Sequence, residues 1–91
     1  MFITMNTLKS LLGTNPNVID IRENYLYVRG HFPNAKNIPA RMLKTMPDKY
    51  LDKMQTYYLI CESGFKSKVL AEKLNTLGYH VYSVKDGYEA I

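Results

Sequence analysis

Thr56-Tyr57-Tyr58-Leu59-Ile60-Cys61 is a near-continuous run of aromatic and branched apolar side chains, the pattern of a strand buried on both faces in a parallel sheet. Beyond it, Ser67 to Thr76 reads as a helix. Val69, Leu70, Lys73, Leu74 and Leu77 fall at three- and four-residue spacing, Ser67 is placed to cap the start, and Gly78 to stop the end. Tyr79 to Val84 then returns as a strand. A crossover of about a dozen residues between two strands implies a parallel pair joined right-handedly. Cys61 therefore lies at the carboxyl end of a parallel strand, where open sheets form their ligand crevice.

Outward from this unit the chain alternates apolar runs with helix-like segments, an α/β pattern in which helices cover a sheet. Phe2 to Thr4 suits a short edge strand. Asn6 is placed to cap a helix carrying Leu8, Leu11 and Leu12 on one face, with Gly13 at its stop. Asn15-Pro16-Asn17 is a turn, Val18 to Ile21 a β-branched strand, and Glu23 to Arg29 a turn or two of helix. Gly30 to Pro39 carries Pro33 and Pro39 and reads mostly as loop. Short helices are weakly signalled around Met42 to Lys44 and Asp48 to Met54, and Asp86-Gly87 turns the chain before a helical stub over Tyr88 to Ile91.

Ninety-one residues fit one domain, 1–91, just below the usual size of about 100–150 residues. With 46% apolar residues they supply one compact core. Twelve Lys and Arg against eight Asp and Glu give +4 with no two basic residues adjacent, which excludes a nucleic-acid arm and points to a small anion as partner. Met1 to Met5 lack the basic and apolar regions of a signal peptide, and no apolar stretch nears the roughly 18 residues of a membrane span. The expectation is a cytosolic protein without a membrane or nucleic-acid partner, read as a monomer. One cysteine excludes an internal disulfide and a cysteine-rich zinc site, leaving a small buried apolar residue or a reactive thiol.

The residues after Cys61 favour the thiol. Glu62-Ser63-Gly64-Phe65-Lys66, closed by Ser67, form a short arc in which Gly64 can take positive φ and let successive backbone N–H groups converge on one spot. The free N–H groups and dipole of the following helix add to them, and Lys66 adds a full charge. A thiol in such a ring is expected to have a depressed pKa, since helix N-termini and nearby cations lower cysteine from about 8.5 toward 3.5–7.5. The same ring can hold an acyl, phospho or persulfide group on the sulfur.

Asp20-x-Arg22 after a strand, Gly30-His31-Phe32-Pro33-Asn34-Ala35-x-Asn37-Ile38-Pro39, and Cys61-x-x-Gly64-x-Lys66-Ser67 opening a helix together resemble the single-domain rhodanese sulfurtransferases, from about Ile3 to Ile91. The resemblance implies a rhodanese-like three-layer fold, with a five-stranded parallel sheet and helices on both faces. It also implies that Cys61 takes a sulfane sulfur from a donor and passes it on, with no metal or organic cofactor. The chain departs from the family pattern in carrying Lys66 where small members usually have Arg, exchanging a bidentate fork for a point charge. Asn34 stands for a common Gly, a mild change because Asn tolerates the left-handed region. Asp86-Gly87 stands for Gly-Gly, and the usual terminal Trp is absent.

On this reading Cys61 is the catalytic nucleophile. Glu62, Ser63, Gly64, Phe65, Lys66 and Ser67 form the persulfide- and substrate-binding loop, and Asp20 and Arg22 brace it from the neighbouring strand. Glu62 is expected to point outward, Phe65 to give the site an apolar rim, and His31 to make structural hydrogen bonds. The expected reaction moves sulfur from thiosulfate or another small anionic sulfane donor through a Cys61 persulfide to a thiol, a protein thiol or cyanide. Two alternatives share the cysteine loop: a persulfide relay or binding module serving a protein partner, and a dual-specificity-type phosphatase. The phosphatase loop is one residue longer and ends in Arg six positions after Cys, where this chain has Ser67.

Overall fold

The computed structural model describes residues 1–88. Five strands, β1 (Phe2–Ile3), β2 (Asn17–Asp20), β3 (Lys36–Asn37), β4 (Thr56–Ile60) and β5 (His80–Val84), form one sheet in the order β1-β5-β4-β2-β3. Every neighbouring pair is parallel. Among the described residues five α-helices connect them: α1 (Met5–Ser10), α2 (Asn24–Tyr27), α3 (Ala40–Thr45), α4 (Pro47–Tyr50) and α5 (Phe65–Thr76). This is the expected rhodanese-like α/β architecture.

β4 divides the interior because its side chains alternate faces. Tyr57, Leu59 and Cys61 pack with Ile19, Ile21, Leu43, Leu70 and Leu74 on the side of α3 to α5. Ile60 packs with Val18, Met5, Leu8, Phe32 and Val84 on the other, beneath α1. A strand so enclosed must be apolar on both sides, which is why its sequence shows no alternation.

Several boundaries differ from the sequence reading. Thr4, not Asn6, caps α1, its hydroxyl accepting from the Thr7 N–H at 3.2 Å; Gly13 lies inside a 3₁₀ turn over Leu12–Thr14 that ends at Asn15 with φ 54°. α5 begins at Phe65, with Gly64 as the capping residue at φ 94°, so Ser67 is a buried residue of its first turn and not its cap. Of the residues at three- and four-residue spacing, Val69 and Leu77 are 55% and 47% exposed, while Ser67 and Ala71 are buried beside Leu70 and Leu74. The segment read as loop supplies β3, whose Lys36 and Asn37 pair with Ile19 and Asp20. Asn34 does adopt positive φ, 63°. Of the stub expected over Tyr88 to Ile91, residues 89–91 lie outside the described residues. Among the described residues no helix is long and apolar enough to cross a membrane.

Candidate active site

Cys61 follows the last residue of β4, and the chain needs only Glu62, Ser63 and Gly64 to reach the first turn of α5. So tight a return requires Gly64. A Cβ there would overlap the Lys85 carbonyl oxygen, and φ 94° disfavours side chains in any case. The return turns two backbone N–H groups onto the sulfur: Gly64 N–H donates to Sγ at 3.1 Å and Ser67 N–H at 3.4 Å. The Ser67 hydroxyl lies 3.5 Å from Sγ and donates to the Gly64 carbonyl at 3.1 Å. Phe65 and Lys66 open α5, so their N–H groups have no intrahelical acceptor. The sulfur thus sits among donors at the N-terminus of a twelve-residue helix, an arrangement that stabilises negative charge on atoms placed there.

Cys61 itself is 1% exposed. It meets solvent through a cleft of about 160 Å³ lined also by Glu62, Ser63, Phe65 and Lys66, room for a small oxyanion and below the roughly 300 Å³ at which drug-sized pockets begin. Phe65, 70% exposed, forms the apolar rim. Lys66 is exposed at the mouth. Glu62 departs from its expected outward position: it is half-buried, lines the cleft and lies near enough to Arg22 to help hold that guanidinium charged.

Asp20 and Arg22 do not reach the sulfur; among the described residues neither hydrogen-bonds to Cys61. They form a buried unit at the end of β2. Arg22 donates from Nε and Nη2 to the Asp20 carboxylate at 2.8–3.2 Å, from its own N–H at 3.0 Å, and from Nη2 to the Gly30 carbonyl at 2.8 Å. The hydrogen bonds to Asp20 raise the Arg22 pKa against burial, which lowers it, and the charge of Asp20 adds to the rise. The guanidinium lies over the Tyr88 ring, 4.0 Å from its centroid, and the Tyr88 N–H donates to the Cys61 carbonyl at 2.7 Å. A chain of contacts thus runs from Asp20 through Arg22 and Tyr88 to the backbone of Cys61. His31 is exposed, stacks on Tyr27 and contacts its carbonyl through Nδ1 at 3.1 Å.

Three contributors escaped the sequence reading. Gly87, φ 71°, backs the loop so closely that a Cβ there would lie 2.5 Å from the Glu62 carbonyl oxygen and 2.7 Å from the Gly64 nitrogen. Asn37 donates to the carbonyls of Asp20 and Arg22 at 3.0 and 2.9 Å, holding the end of β2. Tyr88, in sequence only the first residue of a terminal stub, packs on Arg22 and donates to the Cys61 carbonyl. Asp86-Gly87 carried a turn signal, but nothing in its composition said what the turn packs against. Among the described residues no cluster of three or more His, Cys, Asp or Glu could hold a metal ion.

The family model for the rhodanese-like domain matches residues 4–91. The chain belongs to the rhodanese-like family. The adenylyltransferase and sulfurtransferase of Ogataea parapolymorpha is 34% identical over 64 residues, 70% of this chain and 16% of that protein. The tRNA sulfurtransferase of Thermoplasma acidophilum is 30% identical over 83 residues, 88% of this chain and again 16% of that protein. The chain thus spans about a sixth of the length of these curated relatives. A rhodanese-like domain protein from Staphylococcus aureus superposes with a TM-score of 0.85 at 32% identity, over 99% of this chain and 90% of that one. Membership of the rhodanese-like family and the sulfurtransferase relatives support sulfur transfer as the general chemistry.

Proposed function

We propose that the protein is a sulfurtransferase in which Cys61 carries the sulfur as a persulfide. The Cys61 thiolate attacks the outer sulfur of thiosulfate or a similar anionic donor. An Sγ–S bond forms, the donor's S–S bond breaks, and its electron pair leaves on sulfite. A thiolate or cyanide then attacks the outer sulfur of the persulfide, and the electron pair of that S–S bond returns to Cys61. The observation that carries this reading is the pair of backbone donors on Sγ, which need not reorganise as charge moves onto and off the sulfur. Lys66 at the mouth draws the anionic donor.

The rival phosphatase reading calls for a loop one residue longer that ends in Arg six positions after Cys, where this chain has Ser67, so its loop has neither the extra backbone donor nor the guanidinium for the three equatorial oxygens of a phosphoryl group. In a thiosulfate–cyanide assay, Cys61→Ser is expected to fold as the parent does and to release no thiocyanate above the uncatalysed rate. Residual turnover in that variant would end the covalent mechanism. Cys61-dependent hydrolysis of p-nitrophenyl phosphate, expected near background, would move the assignment to the rival class.

A further inference from the structure

A second and larger concavity, about 420 Å³, runs between α3 and α5 and shares Phe65 and Lys66 with the Cys61 cleft. Its lining combines two features that proteins ordinarily separate. Phe65 and Val69, one helical turn apart on α5, expose 70% and 55% of their surface into solvent. Around them stand Arg41 and Lys44 from α3 with Lys66 and Lys73 from α5. Glu23 pairs with Arg41 at 3.1 Å; Lys44, Lys66 and Lys73 form no ion pair among the described residues. From Lys66 to Lys73 the groove follows α5 for about 10 Å at 1.5 Å per residue, the length of about three residues of extended chain.

We propose that this groove docks an acidic peptide segment of a protein acceptor, with an apolar side chain on Phe65 and Val69 and carboxylates against Lys44 and Lys73, so that a cysteine in that segment reaches the Cys61 cleft. The proposal rests on the sulfur-transfer reading and names its acceptor as a protein. Complementary charge and the continuity of groove and cleft choose the occupant. A second copy would bring the same cationic rim against itself, and like charges across a contact repel. A nucleic acid would satisfy the lysines and could stack one base on Phe65, but would leave Val69, Leu70 and Ala40 without an apolar partner.

The test uses two readouts. For binding, a fluorescent peptide of Asp, Glu and Leu with serine at the acceptor position is titrated onto the protein, beside its Asn/Gln counterpart and an RNA oligonucleotide. The acidic peptide is expected to bind most tightly and to weaken with salt. Lys44→Glu combined with Lys73→Glu should weaken it roughly tenfold, the scale of two reversed exposed charges. Lys9→Glu combined with Lys36→Glu, the same change in net charge made elsewhere, should have an effect below about twofold. Equal loss in both double variants, no preference over the amide peptide, or tighter RNA binding relieved by the groove variant would overturn the proposal.

For transfer, persulfide-loaded protein is offered the same peptides with cysteine restored. The groove variant should lose the preference for the acidic acceptor and keep its rate with cyanide; an undiminished preference would overturn the proposal. Failure of Cys61 to load would refute the sulfur-transfer reading itself, and the binding titration would still decide the groove.

Discussion

The ends of β2 and β4 lie side by side, with Asp20 in register with Ile60, yet they are finished in opposite ways. At the end of β2 the charges cancel internally: Asp20 and Arg22 are 0% and 6% exposed and satisfied by each other, by Gly30 and by the Tyr88 ring. At the end of β4 polar capacity is left over. The sulfur is ringed by donors, the first N–H groups of α5 lack intrahelical acceptors, and Lys66 stands in solvent. One edge of a sheet thus holds a closed polar unit beside an open one. The two units touch through Tyr88, whose ring lies against Arg22 and whose N–H donates to the Cys61 carbonyl.

That division predicts which substitutions strike folding and which strike chemistry. The largest effect belongs to the closed unit. Arg22→Ala leaves the Asp20 carboxylate buried without its partner and should cost about 3–5 kcal/mol in stability, read from the urea midpoint. A loss below about 1 kcal/mol, the scale of a surface pair, would remove the distinction between the two strand ends.

Next comes the contact between them. Gly87→Ala forces a side chain into φ 71° and against the Glu62 carbonyl. It should cost about 1–3 kcal/mol, with kcat/KM falling up to about a hundredfold if the loop shifts by about 1 Å. Unchanged kinetics would show that the turn after β5 does not hold the cysteine loop. Ser67→Ala is smaller: it removes one of two donors to the Gly64 carbonyl and leaves the Lys68 N–H in place, so it should cost about 0.5–1.5 kcal/mol, read from the same urea midpoint.

Lys66 is expected to have the smallest effect. An exposed charge contributes about 0.2–1 kcal/mol, so Lys66→Ala should lower kcat/KM for thiosulfate by about 1.4-fold to fivefold. Lys66→Arg should retain or improve it, because a guanidinium can pair two donor oxygens, and Lys66→Glu should be the slowest. One common kcat/KM across the four proteins would make Lys66 a solvated bystander.

What the sequence disclosed follows from how locally each feature is encoded. β4 and α5 were legible because a doubly buried strand and an amphipathic helix leave continuous patterns, and Cys61 was legible because its loop is contiguous. β3 was not: Lys36 and Asn37 have no strand propensity and are held by pairing to β2 and by the Asn37 side chain. The outward turn of Val69 was hidden because three- and four-residue spacing marks a stripe without fixing its width, and Ala71 took the inner position instead. The resemblance to rhodaneses places Asp20 and Arg22 beside the loop, but their contact with it through Tyr88 joins segments far apart in the chain, which only the fold brings together.

Whether the open strand end carries sulfur on Cys61 is decided by intact-protein mass spectrometry after incubation with thiosulfate and other sulfane donors. Cys61 should gain one sulfur atom, reversed by cyanide or a thiol and absent in Cys61→Ser. An unloaded parent protein under every donor, or a Cys61→Ser protein that gains the same mass, would contradict it.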